Sequence, residues 1–248
     1  MKFVALISGG KDSIYSIKKC QDDGHELVCL ANLKPKGFNE ELNSYMYQSV
    51  GAEIIEAQAE CIGKPLIRDF IEGKPLTLDL GYNVTENDEV EDLYRLLGRV
   101  KEQFPEVQAV SSGAIFSTYQ KNRVEDVCQR LNLVSLAPLW QRDQISLLTQ
   151  MVNDNIGAVL VRVCSDGLKR NHLGKYLAEL MEYLVGLQTH SGNSCCGEGG
   201  EFETIVLDCP IFKKRIEVDE SEILTEKENP VEYVGRLSFK KFHLVDKL

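Results

Sequence analysis

The chain has 248 residues, enough for one large domain or two modest ones with a sizeable core. Hydrophobic residues make up 43% and charged residues 27%, which is ordinary for a globular protein. Acidic residues outnumber basic ones by 38 to 28, a net charge of −10 that disfavours stable binding to nucleic acid or acidic membranes. No apolar run approaches the roughly 20 residues of a membrane span, and the N-terminus does not resemble a signal peptide. We therefore expect a cytoplasmic protein with no membrane partner.

Eight cysteines are spread along the chain, and no two of them form a Cys-x-x-Cys pair. Without a secretory signal, reduced thiols are expected rather than disulfides. The four histidines lie far apart, so we expect no structural zinc site. Cys195 and Cys196 are adjacent, but their neighbours are acids, which would raise the pKa of a thiol. This pattern favours a structural role over a nucleophilic one.

Residues 8–13 form a loop, named the phosphate loop, between an apolar stretch and a helical pattern. Residues 1–7 predict a strand and residues 14–20 a helix. The loop consists of Ser8, Gly9, Gly10, Lys11, Asp12 and Ser13. Glycine lets the backbone approach a ligand, amides at a helix start lack intrahelical acceptors, and serine and lysine add donors. The pattern predicts a phosphate cradle, the alternative being an ordinary strand–helix turn with a capping serine. It is not the Walker A pattern.

Strands and helices alternate over the first part of the chain, which predicts a doubly wound parallel sheet of the α/β class. We predict the strands at residues 1–7, 26–33, 65–71, 107–111 and 133–136. We predict the helices at residues 14–20, 42–62, 88–104 and 117–131. Residues 73–86 are predicted to form a loop.

The pattern changes after Pro138 and predicts a smaller, mixed α+β domain. Its helices are expected at residues 144–153 and 173–187. Its strands are expected at residues 157–163, 203–207 and 215–218, with a final strand or hairpin at 231–244. We therefore predict two domains, one at residues 1–135 that contains the phosphate loop and one at residues 136–248.

A second polar stretch follows the predicted strand at 107–111 and begins with Ser112 and Gly113. Ligands bind at the carboxyl edge of open parallel sheets, so this stretch should lie near the phosphate loop. Ser117 is placed to cap a helix whose first turns carry Tyr119, Gln120 and Arg123. Arg123 could hold a phosphate or a carboxylate with two parallel hydrogen bonds. The alternative is a capped helix with a surface arginine.

A third stretch, residues 195–204, is named the acidic loop. It combines glycines with three carboxylates, those of Glu198, Glu201 and Glu203. Carboxylates at this density suit a cationic substrate, Mg²⁺ or an incoming amine that needs a general base. The alternative is a solvated acidic turn.

These stretches resemble known proteins. The phosphate loop is similar to the PP-loop of N-type ATP pyrophosphatases, which cleave ATP between the α and β phosphates and adenylate a substrate oxygen. Together with residues 112–123, 139–140 and 196–204, it resembles the diphthine–ammonia ligase family. Residues 44–48 fit the eukaryotic members of that family.

The resemblance implies a reaction. ATP would activate the carboxylate of diphthine, a modified histidine on translation elongation factor 2, as an acyl adenylate. Ammonia, taken as ammonium, would then displace AMP and leave an amide, diphthamide. Mg²⁺ is expected to accompany ATP.

The resemblance also suggests residue roles. The catalytic candidates are Lys11, Asp12, Glu201 and Glu203. The ATP-binding candidates are Ser8, Gly9, Gly10, Lys11, Asp12, Ser13, Ser112 and Gly113. The substrate-binding candidates are Tyr119, Gln120, Arg123, Trp140, Glu198, Gly199, Gly200, Glu201 and Glu203. Tyr119 or Trp140 could face the trimethylammonium group of diphthine.

Two other functions remain open from the sequence. A PP-loop enzyme that modifies tRNA is disfavoured by the acidic balance and by the missing Cys-x-x-Cys pair. A non-catalytic sensor would bind ATP without forming AMP. A third reading, an acidic interaction scaffold, leaves the phosphate loop unexplained.

Overall fold

A computed structural model describes residues 1–36, 46–47, 50–77, 79–229 and 233–247 of the chain. The chain divides into two compact units. Unit 1 comprises Met1–Ser8, Asp12–Ala52 and Lys64–Trp140. Unit 2 comprises Gly9–Lys11, Glu53–Gly63 and Gln141–Leu248. The middle of the phosphate loop therefore packs with the C-terminal part of the sequence.

The described residues form strands and helices that alternate along most of the chain. The strands are β1 (Lys2–Leu6), β2 (Glu26–Lys34), β3 (Leu66–Phe70), β4 (Ala109–Ser111), β5 (Val134–Leu136), β6 (Gly157–Cys164), β7 (Phe202–Asp208), β8 (Lys214–Glu228) and β9 (Tyr233–Asp246). The helices are α1 (Lys11–Asp22), α2 (Ile55–Ile62), α3 (Glu89–Gln103), α4 (Thr118–Arg130), α5 (Gln144–Asn153) and α6 (Leu177–Ser191).

Unit 1 is built on a five-stranded sheet in the order β3-β2-β1-β4-β5. Every neighbouring pair in it is parallel. The chain fills one side of β1 with β2 and β3, then crosses to the other side for β4 and β5. This reversal confirms the predicted doubly wound sheet. It also opens a crevice at the carboxyl ends of β1 and β4, where such sheets bind ligands.

The core of unit 1 packs α3 and α4 against this sheet. Asp88 caps α3 by accepting a hydrogen bond from the amide of Val90. The buried side chains of α3 recur at helical spacing and include Leu93, Leu96 and Leu97. Burying each such side chain contributes about 1.5–3 kcal/mol. The amphipathic helix predicted at 88–104 is therefore confirmed.

Unit 2 contains a four-stranded sheet in the order β7-β6-β9-β8, with each neighbouring pair antiparallel. Helix α2 belongs to this unit although it precedes β3 in sequence. The amide of Phe239 in β9 donates to Glu53, just before this helix, and the amide of Lys213, just before β8, donates to the carbonyl of Cys61 within it. The predicted mixed α+β region is confirmed.

Two predicted helices differ from the structure in where they begin. The helix predicted from residue 173 begins at Leu177, because Gly174 has a φ of +79° and interrupts a helical path. The helix predicted at 42–62 is seen as α2 from Ile55 onward. Residues 42–45 and 48–49 of that prediction lie outside the described residues, as do Ser44, Tyr45 and Gln48 of the 44–48 stretch.

The strand predicted at 215–218 extends much further, to Glu228 in β8. The C-terminal half of β8 is rich in Glu, which has a weak preference for strands. The long pairing with β9 overrides that preference.

Within the described ranges, no helix is both long enough and apolar enough to cross a membrane.

Candidate active site

The phosphate loop is anchored in unit 2 at Gly9. Gly9 has a φ of +88°, and a Cβ there would lie 2.7 Å from Ile55 Cδ1 and 2.9 Å from Ile205 Cδ1. Its carbonyl accepts a hydrogen bond from the amide of Val206 and another from Gln58 Nε2, each at 2.9 Å. The position favours glycine, because a φ of +88° is strained for any residue with a side chain.

Lys11 is the buried charge of the loop, with 2% of its surface exposed. Its amide donates to Thr204 Oγ1 over 3.1 Å, and its ammonium donates to the carbonyl of Cys196 over 2.5 Å. The ammonium also lies 5.5 Å from the centre of the Phe202 ring. The lysine predicted to serve the phosphates is thus fixed by β7 and the acidic loop.

The remaining part of the phosphate loop lies in unit 1. The amide and hydroxyl of Ser8 donate to Ser13 Oγ over 3.2 and 3.3 Å. These bonds close the loop between the end of β1 and the first turn of α1. Asp12 also belongs to unit 1, whereas the buried Gly10 belongs to unit 2 with Gly9 and Lys11.

Ser112 and Gly113 pack against the start of α1, as the shared sheet edge predicts. Ser16 Oγ donates to the carbonyl of Ser112 over 2.9 Å. A Cβ at Gly113 would lie 2.8 Å from the backbone of Asp12 and of Ser13, so this close approach requires glycine. The Ser112 hydroxyl is buried and has no hydrogen-bond partner among the described residues. A donor at this edge suits a polar ligand in the crevice.

Arg123 and Tyr119 contact a surface loop of unit 1. Arg123 is fully buried and donates to the carbonyls of Thr77 and Asp79 over 2.6 and 3.2 Å. Its guanidinium carbon lies 3.3 Å from the centre of the Tyr119 ring. The Tyr119 hydroxyl also donates to the carbonyl of Thr77, and burial raises the pKa of Tyr119. In this arrangement both side chains hold main chain in place.

Ser117 caps α4 as predicted, accepting from the amide of Gln120 over 3.3 Å. Trp140, the other aromatic candidate, lies in unit 1 with the ammonium of Lys121 5.2 Å from its ring centre. The cation on the Trp140 face is therefore one of the chain's own.

The acidic loop is organised by Glu201. Its carboxylate accepts from the amide of Ser194 over 2.7 Å and from that of Gly199 over 2.8 Å. A Cβ at Gly199 would lie 2.7 Å from this carboxylate, so the glycine makes room for it. Gly200 has a φ of +81°, which turns the chain into β7. Glu201 therefore holds its own loop while remaining partly exposed.

The other two carboxylates of the loop have different surroundings. Glu203 lies on β7 opposite Arg162, with 3.4 Å between Oε1 and the guanidinium. Glu198 is partly buried, and its amide donates to Ser194 Oγ over 3.0 Å. The three carboxylates therefore do not form one equivalent set.

All eight cysteines are free, as expected. The prediction that acidic neighbours raise the thiol pKa is wrong for Cys195. A hydrogen bond with the Cys196 side chain and the charge of Lys11 lower the pKa of Cys195, against the opposing effects of burial and Asp143. The sequence could not show that Lys11, 184 positions away in the chain, lies near this thiol.

No group of three or more His, Cys, Asp or Glu side chains that could hold a metal is found in the described part of the chain. The sequence did not identify the two residues whose side chains bond to the main chain of the phosphate loop, Thr204 and Gln58. Thr204 could have been considered because it ends the acidic loop, whereas nothing in the sequence around Gln58 indicates its contact.

The doubly wound sheet, with a glycine loop and a buried lysine after its first strand, defines a nucleotide-binding protein of the α/β class. Comparison with known proteins narrows this class. A family model for the diphthamide synthase N-terminal domain matches residues 1–135, and one for the diphthamide synthase C-terminal domain matches residues 143–239.

Several named relatives agree with these matches. A diphthine–ammonia ligase from Danio rerio is 48% identical over 250 residues, covering 100% of this chain and 98% of its own. One from Bos taurus is 49% identical over 252 residues, covering 100% of this chain and 94% of its own. One from Schizosaccharomyces pombe is 50% identical over 234 residues, 94% of this chain but only 39% of the relative.

The chain belongs to the diphthamide synthase family, which confirms the predicted resemblance and the prediction of a ligase. Among solved structures, a predicted subunit of tRNA methyltransferase from Methanocaldococcus jannaschii is 14% identical. The match covers 85% of this chain and 98% of that one, with a TM-score of 0.39. A likeness this distant carries no argument about function.

Proposed function

We propose that the chain catalyses the ATP-dependent amidation of the diphthine carboxylate to diphthamide. The observation that carries this proposal is the position of Lys11. Its amide and its ammonium both bond to the acidic loop, at Thr204 and Cys196. The phosphate loop and the stretch most particular to the family are therefore parts of one arrangement.

In the first step, a carboxylate oxygen of diphthine attacks the α-phosphorus of ATP. The bond between the α-phosphorus and the bridging oxygen breaks, and pyrophosphate leaves. The charge that develops on the leaving group is stabilised by donors of the phosphate loop. These are the ammonium of Lys11, the hydroxyls of Ser8 and Ser13, and the amides of Gly9 and Gly10. Ser112 and Gly113 bind ATP at the neighbouring strand end.

Mg²⁺ is proposed to enter with ATP. Carboxylate oxygens are ligands that Mg²⁺ prefers. Asp12 is the side chain in the phosphate loop that would hold it. When bound, the ion neutralises phosphate charge.

In the second step, the lone pair of ammonia attacks the acyl carbon of the adenylate. The new C–N bond forms and AMP leaves with the electrons of the C–O bond. Two protons must be accepted, one when ammonium becomes ammonia and one from the attacking nitrogen as it becomes the amide. Glu201 and Glu203 are the proposed catalytic carboxylates. Glu198, with Gly199 and Gly200 shaping the loop, would bind the cationic groups of ammonium and diphthine.

The protein substrate is proposed to be translation elongation factor 2 bearing diphthine, and the compartment the cytoplasm. Residues 1–135 would supply ATP binding and residues 136–248 substrate binding. Tyr119, Gln120, Arg123 and Trp140 remain proposed substrate residues. Arg123 and Tyr119 both donate to the carbonyl of Thr77, so their first role is to hold main chain in place.

The deciding experiment measures turnover of ATP with diphthine-bearing elongation factor 2 and ammonium, recording AMP, ADP and amide. One AMP for each amide formed supports the ligase. AMP that depends on added tRNA would support a tRNA-modifying enzyme, and binding of ATP without AMP would support a sensor.

A further inference from the structure

Two main-chain groups of the phosphate loop are held by residues outside the loop. The carbonyl of Gly9 accepts two hydrogen bonds, and the amide of Lys11 donates one. The side chains responsible are those of Gln58 on α2 and Thr204 on β7, and neither belongs to the loop itself. All of these residues lie in unit 2.

Thr204 fixes the end of the loop. Its side chain is 3% exposed, and Oγ1 lies 3.1 Å from the amide nitrogen of Lys11. Lys11 is the first residue of α1, so its amide has no acceptor within the helix. Without the hydroxyl, this buried amide would lose the hydrogen bond that sets its direction.

Gln58 fixes the start of the loop. Its side chain is fully buried, and Nε2 donates to the carbonyl of Gly9 over 2.9 Å and to that of Val206 over 2.8 Å. The amide of Val206 donates in turn to the carbonyl of Gly9. The two carbonyl acceptors fix the orientation of the Gln58 amide, because the opposite orientation would place its oxygen against both of them.

The same side chain also limits the space at Gly9. A Cβ there would lie 3.0 Å from Gln58 Oε1, which has no hydrogen-bond partner among the residues that the structure describes. Gln58 therefore acts on the loop both by bonding and by packing.

We propose that Thr204 and Gln58 are positioning residues for ATP cleavage. They hold the main chain of Lys11 and Gly9 so that the loop donors and the lysine ammonium meet the phosphates in one geometry. This inference rests on the proposed function. Small displacements of a catalytic group cost large factors in rate, so loss of either contact should lower turnover more than substrate binding.

The test uses the full-length chain and the pair Thr204→Val and Thr204→Ser. Valine keeps the branched shape without the hydroxyl, whereas serine keeps the hydroxyl. We expect Thr204→Val to lower kcat for AMP formation about tenfold, with KM for ammonium unchanged within about twofold. Thr204→Ser should keep kcat within about threefold of the unmodified chain.

Gln58→Met supplies a second, independent variant of similar volume without the amide donor. We expect a fall in kcat of about tenfold. Gln129→Met, at an exposed position on α4, is the matched control and should leave kcat unchanged. Thermal unfolding of each variant shows which of them are folded.

Failure of this inference differs from failure of the proposed function. If the unmodified chain forms no AMP with its protein substrate, the proposed function fails. If it forms AMP and the folded Thr204→Val chain matches it in kcat, the positioning role of Thr204 is overturned. Equal losses in Thr204→Val and Thr204→Ser would also overturn it, because the hydroxyl would then be irrelevant.

Discussion

The acidic loop and the beginning of α4 both present charged side chains, yet the two regions use charge differently. Glu201 accepts two amides of its own loop and stays partly exposed. Arg123 donates to the carbonyls of Thr77 and Asp79 and is fully buried. The acidic loop also reaches Lys11 through the carbonyl of Cys196.

Because Lys11 and Arg123 are both buried, we expect the partners of a charged residue, and not its burial, to decide whether its loss acts first on turnover or on stability. Arg123 bonds to main chain within unit 1, so its removal should act first on stability. The acidic loop touches the proposed catalytic lysine, so changes there should act first on turnover.

The largest effect is expected from Lys11→Met. Loss of the ammonium should lower kcat for AMP formation by about 10²–10³-fold, because a buried donor aimed at developing phosphate charge is removed. Steady-state AMP release measures this. Lys18→Met, on the same helix but paired with Asp22 at the surface, is the control and should stay near the unmodified rate. A Lys11→Met chain within threefold of normal would contradict the role of the lysine.

Arg123→Ala should come next, and its effect should be on folding. The loss of hydrogen bonds to Thr77 and Asp79 and of stacking on Tyr119 should lower the free energy of unfolding by about 3 kcal/mol. Urea denaturation measures this, with Arg215→Ala as an exposed control. If stability is unchanged while the affinity for protein substrate falls, Arg123 binds substrate directly and the comparison fails.

Glu201→Gln should have an intermediate effect on both properties. Glutamine offers one oxygen where the carboxylate accepts two amides, so stability should fall by about 1–2 kcal/mol. If the carboxylate also serves ammonium, kcat should fall about tenfold or more. Glu222→Gln, a carboxylate half-exposed beside Lys240, is the control. Loss of stability with normal kcat would leave Glu201 a purely structural residue.

The smallest effect is expected from Glu91→Gln in unit 1, where the carboxylate pairs with Arg130 through two bonds of 2.7 and 2.8 Å. The Arg130 hydrogen bond lowers the pKa of Glu91. Because the pKa of Glu91 is lower in the folded chain than in the unfolded chain, its carboxylate stabilises the fold at pH values above the unfolded pKa of about 4.3. This stabilisation is lost as the pH falls through the pKa of the folded chain. The difference in unfolding free energy between the two chains, about 1 kcal/mol or less at neutral pH, should narrow in acid. If the difference in unfolding free energy stays constant from pH 7 to pH 3, the ion pair between Glu91 and Arg130 is not the cause of that difference.

Much of the fold could be predicted because local patterns specify it. The spacing of Leu93, Leu96 and Leu97 indicates one buried helix face, and the glycine turn after β1 indicates a strand–helix unit. The prediction was too short for β8, because the Glu-rich sequence of its second half predicts no strand. Its structure depends on pairing with a segment that follows it in the chain.

The site residues were predictable only where chemistry shows in the residue type. Lys11 and Glu201 could be identified as candidates from sequence, and their roles stay predictions. Gln58 could not be identified, because one glutamine on an ordinary helix carries no local signal of the two carbonyls it meets. The same holds for the lowered pKa of Cys195, which depends first on a hydrogen bond with the Cys196 side chain and then on the charge of the distant Lys11.

The bond between Lys11 and Thr204 joins residues 193 positions apart, which sets an order of events during synthesis. The ribosome releases the phosphate loop well before Thr204 and Val206 have been synthesised. At about 5–20 residues per second, the interval is on the order of 10–40 s. The nascent chain can therefore form β1 and the start of α1 long before the loop acquires its final hydrogen bonds. The hydrogen bonds of the phosphate loop are therefore completed late, although the loop itself is synthesised early.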